Sequence, residues 1–371
     1  MRLLVVDVGT GTQDILLFDS ERQIENCFQM VMPSPTILVA RRVRRATAAG
    51  QDLFLTGRIM GGGPCHWATM DHLRAGYRVF ATPAAAQTFD DDLDRVREMG
   101  IELVEEGAFA EGDERVCRIE LRDFDFEAIR AALAAFDVEP AVDGLALAVF
   151  DHGAAPPGYS DRRFRFDYLS DRLAQGEGLA GFAFWREEVP DRFTRLQAAA
   201  DSAPSDLPTL IMDTAPAAIL GALEDPQVSR CRSVVVTNVG NFHCLAFHLV
   251  EGEIVGLFEH HTGELTREAL VAYLRKLAAG TLTNAEVFED MGHGALVLNP
   301  EAPAPERFAV VGPRRRMLEG GDLPVYQAVP HGDMMLAGCF GLLRAYAQKD
   351  PVHGPKVAAV LDGTAPLGAP W

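Results

Sequence analysis

Short hydrophobic runs separated by polar turns dominate the first half of the chain. Apolar residues at 3–6 and 15–18 predict two strands joined by a tight turn, and the run at 144–150 predicts a buried strand. Residues 36–49 and 91–99 have the spacing of apolar positions that is typical of helices. This succession of strands and helices predicts a layered α/β fold.

The same order of elements begins again near residue 233. We therefore predict two domains, residues 1–230 and 231–371. Residues from about 151 to 205 are rich in proline, glycine and charge, and we expect them to form an irregular excursion of the first domain. The elements of the second half are predicted as strands at 233–236, 244–250, 254–259 and 308–311, a turn at 238–241, and helices at 266–278 and 333–347.

Length and charge restrict the class of protein. The chain has 371 residues and a formal net charge of −19. This charge argues against nucleic acid and anionic membranes as partners, because both are bound by basic surfaces. No apolar run reaches the roughly 18 residues of a membrane helix, and the chain starts without a signal-peptide pattern. We expect a folded cytoplasmic protein, long enough for two cores.

The turn between the first two strands carries the most informative residues. Asp7 ends a buried strand and is followed by Gly9, Thr10, Gly11 and Thr12. Glycine lets the backbone approach an anion closely, and the N–H groups and two hydroxyls of such a turn can donate to phosphate oxygens. Asp7 would face a metal ion bound to that phosphate. The alternative is an ordinary tight hairpin with a solvated Asp7.

Five segments, in order and spacing, resemble the motifs of the actin, Hsp70 and sugar-kinase superfamily, also called the ASKHA fold. The resemblance spans nearly the whole chain and implies a duplicated, ribonuclease H-like α/β fold. It also implies that ATP and Mg²⁺ bind in a cleft between the two domains. The segments are the first phosphate motif at 7–14, a connecting helix at 213–221, the second phosphate motif at 237–241, the adenosine motif at 309–313 and a second connecting helix at 333–343.

The resemblance also assigns nucleotide contacts in the second half of the chain. These fall on Asn238, Gly240, Asn241, Gly312, Pro313 and Asp333. For Asp333, capping of its helix is the alternative to a ribose contact. The second phosphate turn usually opens with an acid, whereas this chain has Asn238, as in the Gly-Asn turn of acetate kinases. Because an amide cannot neutralise a metal ion, magnesium binding would depend on Asp7 and an additional acid, and fast ATP hydrolysis is in doubt.

More narrowly, the chain is similar to a family labelled pyruvate formate-lyase-activating-like. That label implies radical-SAM chemistry, in which a Cys-x3-Cys-x2-Cys triplet holds an iron–sulfur cluster. The six cysteines stand far apart instead, and none forms a Cys-x-x-Cys pair. We therefore expect small buried thiols rather than a cluster.

Asp151 and His152 follow the predicted buried strand at 144–150. In α/β sheets the carboxyl ends of strands face the ligand crevice. Asp151 is therefore predicted to orient an acceptor or a metal-bound water, and His152 to titrate close to neutral pH as its catalytic neighbour. The alternative is a loop cap with a hydrogen-bonded histidine.

The ten histidines do not form an obvious metal-binding pattern. His243 and His248 lie five apart on one predicted strand and would point to opposite faces. The adjacent His260 and His261 would diverge too if their strand continues. The sequence therefore argues against a transition-metal site.

Together these inferences predict a two-domain protein that binds ATP and Mg²⁺. It would act as a slow phosphotransferase or ATPase on a small polar substrate. The alternative is a nucleotide-gated activator or interaction protein without kinase activity. A protein partner or a homo-oligomer stays open.

Overall fold

The computed structural model describes residues 1–110, 112–139, 141–156, 158–176 and 178–365. Its strands, numbered in chain order, are β1 (Arg2–Val8), β2 (Thr12–Asp19), β3 (Phe28–Pro33), β4 (Asp52–Gly57), β5 (Val79–Ala81), β6 (Ile101–Leu103), β7 (Val116–Leu121), β8 (Gly144–Val149), β9 (Ala183–Trp185), β10 (Thr209–Asp213), β11 (Ser233–Val239), β12 (His243–Val250), β13 (Glu253–His261), β14 (Gly294–Val297), β15 (Arg307–Val311) and β16 (Val325–Gln327). Its α-helices are α1 (Pro35–Ala49), α2 (Pro64–Arg74), α3 (Pro83–Ala86), α4 (Leu93–Glu98), α5 (Phe126–Ala134), α6 (Asp161–Ala174), α7 (Thr194–Asp201), α8 (Thr214–Ala222), α9 (Pro226–Ser229), α10 (Arg267–Ala278), α11 (Asn284–Glu289), α12 (Ala337–Lys349) and α13 (Gly354–Leu361).

The first sheet is built around β1, which is rich in Leu and Val and largely buried. Its strands follow the order β3-β2-β1-β8-β10-β9. β1, β2 and β3 pair antiparallel in succession, whereas β8 runs parallel to β1 and β10 parallel to β8. Because β1, β8 and β10 are parallel, their carboxyl ends meet at one edge of the sheet, where a ligand crevice is expected.

The second sheet repeats this plan. Its strands follow the order β14-β13-β12-β11-β15-β16. β11, β12 and β13 pair antiparallel in succession, and β15 runs parallel to β11. Each half therefore begins with three antiparallel strands and continues with parallel strands on the other side of the first one. This is the duplicated ribonuclease H-like arrangement of the ASKHA superfamily, so the predicted fold class is confirmed.

A third, smaller sheet is inserted between β3 and β8. Its four parallel strands follow the order β6-β5-β4-β7. It has a core of its own, to which Val43, Leu53 and Ile119 contribute, and α1 packs against α2 beside it. Pro64 occupies the first turn of α2, and Gly63 before it has a positive φ of 64°. The loop that ends at Gly63 reaches the cleft described below.

Two helices cross at very close range beside the first sheet. A Cβ atom on Gly221 of α8 would overlap the carbonyl oxygen of Ala337, and one on Gly341 of α12 would overlap that of Ala217. Glycine is required at both positions because the two backbones touch. The small residues of the two connecting segments predict this crossing. α12 lies in the second half of the chain but packs on β1, β2 and β8 of the first half. The domain boundary at residue 230 therefore stays a prediction.

The segment from 151 to 205 contains regular structure among its described residues. α6 and α7 lie in it, and β9 pairs with β10 at the edge of the first sheet. Arg165 of α6 is only 2 % exposed. The sequence analysis expects an irregular surface segment because charged residues usually remain in water. Here ion pairing allows an arginine to be buried.

Among the described residues, every helix is either too short or too polar to cross a lipid bilayer.

Candidate functional site

A cleft of about 890 Å³ lies between the two halves, and it is lined by residues of both large sheets and by loop and helix residues that follow strands of the inserted sheet. Two of the predicted site residues, Gly11 and Asp333, are not among those that line it. The other predicted residues all line this cleft: Asp7, Gly9, Thr10, Thr12, Asp151, His152, Asn238, Gly240, Asn241, Gly312 and Pro313. The structure therefore brings segments that are more than two hundred residues apart into one crevice.

The two glycine turns touch each other across this cleft. In the first turn, the Gly9 N–H donates to the carbonyl oxygen of Thr12 at 2.9 Å, and in the second the Gly240 N–H donates to that of His243 at 2.9 Å. A Cβ atom on Gly11 would overlap the side-chain amide of Asn241. Gly11 is therefore a contact point between the halves, although it does not line the cleft.

Gly312 lies directly against the second turn. It has a φ of 101°, and a Cβ atom there would overlap the side-chain oxygen of Asn238. Glycine is favoured at such a φ and is required by the close approach. Asn238 thus packs beside the segment that the resemblance assigns to adenosine.

Asp7 lies at the carboxyl end of β1, beneath both turns. Its carboxylate accepts a hydrogen bond from the Thr214 hydroxyl at 2.5 Å. Burial, with a smaller contribution from nearby Asp213, raises the pKa of Asp7 to about 6. A Cβ atom on Gly338 of α12 would overlap the Asp7 carboxylate, so the first turn of that helix is shaped around this acid.

Asp14 is a second acid at this position, and the sequence analysis did not select it. In the hairpin of β1 and β2 it is the direct partner of Asp7, so both side chains share one face of the sheet. Burial and the charge of Asp7 raise the pKa of Asp14 to about 8. One Asp14 carboxylate oxygen, Oδ1, is buried without a hydrogen-bond partner. The register of the tight hairpin was the signal that could have revealed this acid.

These two carboxylates fit a hard divalent cation such as Mg²⁺. Burial is the main reason that both pKa values rise, and the charges of neighbouring acids, Asp213 for Asp7 and Asp7 for Asp14, add to it. A cation with a preference for oxygen ligands would relieve the repulsion between these charges and would supply the missing partner of the Asp14 oxygen.

Asp151 is held by backbone amides. It is 4 % exposed, its Oδ1 accepts from the Gly153 N–H at 2.7 Å, and its Oδ2 accepts from the Leu196 N–H at 2.9 Å. Burial raises its pKa. This geometry is that of the loop-cap alternative, and the catalytic role of Asp151 stays a prediction.

His152 lies in a cluster of imidazoles that the sequence analysis did not foresee. One ring nitrogen each of His152, His243 and His293 lies within 4.8 Å of the other two. Burial, followed by the neighbouring histidines, lowers the pKa of His152 and of His243 well below the ordinary value. The expectation that His152 titrates close to neutral pH is therefore corrected, because its ring lies in a buried cluster.

A buried ion-pair network supports this cluster. Arg165 donates to Asp213 at 2.7 and 3.1 Å, and to Glu259 at 2.6 and 2.8 Å. The Glu259 carboxylate also contacts Nδ1 of His293. Arg165 and His293 together hold the pKa of Glu259 well below its ordinary value against the effect of burial. Asp213 also caps α8 by accepting from the Ala215 N–H at 2.9 Å.

Asp333 lies just before α12. Its Oδ1 accepts from the Met335 N–H at 2.8 Å, in the turn that precedes the helix. The N-cap residue of α12 is Leu336 and receives no side-chain capping bond, so the capping alternative is corrected to a bond within this turn. Its ribose contact stays a prediction.

The inserted sheet contributes the wall of the cleft that faces the first half. Gly61 donates its N–H to Asp123 at 3.1 Å, and Arg195 binds the same carboxylate at 2.7 and 3.1 Å. A Cβ atom on Gly61 would overlap the Arg195 guanidinium. The glycine-rich loop is therefore anchored by an ion pair to α7, and the lining continues through the acids Asp90 and Asp91.

A family model described as "Putative pyruvate format-lyase activating enzyme (DUF1786)" matches residues 60–317, more than half of the chain. The chain belongs to the DUF1786 family. No curated protein matches it. The matched region contains three of the four strands of the inserted sheet (β5, β6 and β7), the histidine cluster and the second glycine turn.

Several solved structures are similar over most of the DUF1786 chain, at low identity. A ROK hexokinase from Thermus thermophilus is 12% identical, with 92% of this chain and 96% of that one covered and a TM-score of 0.30. A ROK family glucokinase from Streptomyces griseus, in complex with glucose and AMPPNP, is 12% identical, with 92% and 98% covered and a TM-score of 0.32. Ethanolamine utilization protein EutJ from Carboxydothermus hydrogenoformans is 11% identical, with 92% and 89% covered and a TM-score of 0.28. TM-scores this low carry no argument, and the fold rests on the strand order of the two sheets.

The radical-SAM chemistry that the family's label implies does not fit the thiols of this DUF1786 chain. All six cysteines are unpaired, and Cys27, Cys65, Cys244 and Cys339 are buried. Burial raises the pKa of Cys65 to about 11 and that of Cys339 well above its ordinary value. Such thiols remain protonated at neutral pH. In the part of the chain that the structure describes, no group of three cysteines is close enough to share an ion.

Proposed function

We propose that this protein binds ATP with Mg²⁺ in the interdomain cleft and acts as a slow phosphotransferase or ATPase on a small polar substrate. The observation that carries the proposal is the contact between Gly11 and Asn241, which joins two glycine turns from opposite halves at one crevice. Backbone N–H groups of such turns are suited to phosphate oxygens. A triphosphate between them would be bound by both halves, and domain closure would follow its binding.

In this proposal each half has its own task. The hydroxyls of Thr10 and Thr12 donate hydrogen bonds to phosphate oxygens. The backbone amides of Gly240 and Asn241 donate to them as well. Asp7 and Asp14 hold the magnesium ion, which supplies charge neutralisation on the phosphates. Gly312 and Pro313 lie against adenine. We further propose that the acceptor enters along the wall formed by the inserted sheet, in a protein of the cytoplasm where ATP is present.

The pKa values of the two acids support the assignment of the metal. Without a bound cation, burial raises the pKa of Asp7 to about 6 and, together with the charge of Asp7, that of Asp14 to about 8. A bound cation would keep both ionised, so ion binding would release protons. The buried Oδ1 of Asp14 has no hydrogen-bond partner, so coordination of the ion would give this atom the partner that it lacks.

A nucleotide-gated switch without phosphotransfer is the second candidate. Two observations favour it: Asn238 stands where an acid is usual, and both oxygens of Asp151 are occupied by backbone amides. The carboxylate of Asp151 is then already engaged and is not free to orient an acceptor. In this candidate, closure of the cleft around ATP would be read by a partner protein.

Calorimetry with ATP, with and without magnesium, tests the binding proposal. We expect wild-type protein to bind ATP with an affinity that rises with magnesium, and Asp7→Asn to lose at least about tenfold of that magnesium-dependent affinity, since one charged ligand is lost. Asn keeps the size of the side chain and an acceptor for Thr214. The exposed Asp206, changed to Asn, is the matched control and should bind like wild type.

Absence of binding at millimolar ATP and magnesium, with folded protein, would contradict the proposal. Incubation of the protein with labelled ATP and a pool of metabolites then separates the two candidates. A labelled product other than phosphate indicates a phosphotransferase, and phosphate alone indicates an ATPase. Tight binding with no turnover favours the switch.

A further inference from the structure

Three imidazoles meet at one wall of the cleft although they come from distant parts of the chain. His152 follows β8, His243 opens β12, and His293 directly precedes β14. One nitrogen from each ring lies within 4.8 Å of the other two. His152 and His243 line the cleft, whereas His293 is fully buried behind them. The cluster is therefore open to the cleft on one side and closed on the other.

Two nitrogens of this cluster lack a partner. Nε2 of His243 and Nε2 of His293 are both buried, and neither makes a hydrogen bond. Buried polar atoms in folded proteins nearly always have a partner, so an orphaned pair at one place requires an explanation. Imidazole nitrogens are ligands of zinc and related transition ions. A bound ion would satisfy both atoms at once.

The second nitrogen of His293 is arranged as in metal-bound histidines. Its Nδ1 contacts the Glu259 carboxylate, and its backbone N–H donates to the carbonyl oxygen of Glu259 at 2.9 Å. A carboxylate at Nδ1 fixes the proton on that atom and leaves the lone pair on Nε2, the buried nitrogen without a hydrogen-bond partner. Carboxylate–histidine–metal arrangements of this kind orient the ring and raise its basicity.

The surrounding charges favour a cation. Arg165 is the nearby positive charge, and it is bound by both Asp213 and Glu259. The buried group thus carries one more negative than positive charge. Phe150 covers the cluster, with its ring stacked on His243 at a centroid distance of 3.8 Å. This apolar cover limits access of water to the cluster except from the cleft.

We propose that His152, His243 and His293 form a binding site for a divalent transition ion of the zinc type. Zinc–nitrogen bonds are about 2.0–2.1 Å long, so small rotations of the three rings would bring the nitrogens to their bonding positions. Three histidine ligands with a fourth position open to water or substrate are typical of catalytic zinc. The site differs in ligand type from the carboxylate pair Asp7 and Asp14, and it does not depend on ATP binding.

Zinc and cobalt binding to the full-length protein, stripped with a chelator and free of nucleotide, tests this site. We expect one zinc ion per chain, retained against excess magnesium, and a cobalt form with the visible absorption of a nitrogen-ligated ion. His152→Ala and His243→Ala should each weaken zinc binding by about tenfold or more, since even a group that only orients a ligand contributes 10- to 100-fold. His66→Ala is the matched control, because His66 lines the same cleft outside the cluster.

X-ray absorption of the zinc-loaded wild type provides a second measurement that does not depend on variants. Three imidazole ligands at the zinc ion support the site, and fewer than three overturn it. No zinc binding at micromolar concentration, or equal binding by wild type and both folded cluster variants, would also overturn it. In that case the imidazoles are a packed aromatic cluster. Should His243→Ala fail to fold, the partly exposed His152 still provides the variant test.

Discussion

The two ends of the cleft differ in the atoms that they present to a ligand. One end offers buried carboxylates, Asp7 and Asp14, which face each other across a hairpin. The other offers imidazoles from three segments, supported by the ion pairs of Arg165. Oxygen ligands select magnesium, whereas imidazole suits zinc and its neighbours. If both proposals hold, one crevice would bind two ions of different kinds.

The two ends also differ in how they are stabilised. At the carboxylate end, burial and neighbouring acids raise the pKa values, and no arginine or lysine pairs with Asp7 or Asp14 among the ion pairs of the described residues. At the imidazole end, Arg165 pairs with both Asp213 and Glu259, and Glu259 stays ionised. The acids of the first end thus depend on protonation or a bound cation, whereas protein groups offset part of the negative charge at the second end. Changes at the two ends should therefore have different consequences.

The largest expected effect comes from Arg165→Ala, which breaks the ion pairs of the imidazole end. It would leave Asp213 and Glu259 buried without their cation, and the loss of one partner of a buried ion pair typically costs about 3–5 kcal/mol. Denaturant unfolding should show this loss. Arg163→Ala on the same helix is the control, with less than about 0.5 kcal/mol expected at a surface position. A loss below about 1 kcal/mol for Arg165→Ala would mean that the network is dispensable.

The second effect is on the pH dependence of stability in the metal-free protein. The folded pKa of Asp14, about 8, lies above the ordinary value of 3.8. Between these values the folded state holds a proton that the unfolded chain has released, so the free energy of unfolding falls as pH rises. Asp14→Asn removes this titration and should reduce the fall between pH 4 and 8 by roughly a few kcal/mol at about 1.4 kcal/mol per pKa unit. Equal pH profiles for variant and wild type would contradict the account.

The imidazole end should respond to pH with the opposite sign. The pKa values of His152 and His243 are lowered, so the folded state holds fewer protons than the unfolded chain below about pH 6.5. The stability that these rings contribute is present above that pH and is lost as pH falls. A His152→Ala profile compared with the Asp14→Asn profile separates the two contributions.

A third effect is expected from Gly338→Ala, which acts on the carboxylate end alone. The added Cβ would overlap the Asp7 carboxylate, and overpacking of this kind costs about 1–3 kcal/mol. Because Asp7 must move, magnesium-dependent ATP affinity should fall, while zinc binding is retained. The exposed Gly263, which has open space around it, provides the control when changed to Ala. Unchanged magnesium dependence would separate Asp7 from the metal.

The smallest effect is expected from Asn238→Asp. It places a third acid near the phosphate turns and should raise magnesium-dependent affinity or ATP turnover by a few-fold, since an acid attracts the cation more strongly than an amide does. Calorimetry and a phosphate-release assay measure this. No change in either quantity would show that Asn238 faces Gly312 and not the nucleotide.

The contrast between the two ends also explains what could be predicted from the sequence. The glycine turns are contiguous motifs, so their place at one cleft follows from order and spacing. Asp14 could have been predicted as a site residue, because the register of the hairpin pairs it with Asp7. The crossing of α8 and α12 follows from small residues such as Gly221. The inserted sheet was less visible, since its strands and helices continue the same α/β alternation.

The imidazole cluster could not be predicted from spacing within one strand. His243 and His248 do point to different surroundings, as expected, and His248 contacts Ser233 at 3.0 Å. The cluster forms because the end of β8 and the starts of β12 and β14 lie at the same place, and this can be known only from the full topology. Arg165 was missed for a related reason: its partners lie 48 and 94 residues away.

The most direct test of the central claim is a crystal structure with magnesium and a non-hydrolysable ATP analogue. The account predicts a triphosphate within hydrogen-bond distance of backbone amides in both the 9–12 and 238–241 turns, with the magnesium ion at Asp7. A nucleotide that contacts one turn alone, or that binds outside the cleft, would contradict it.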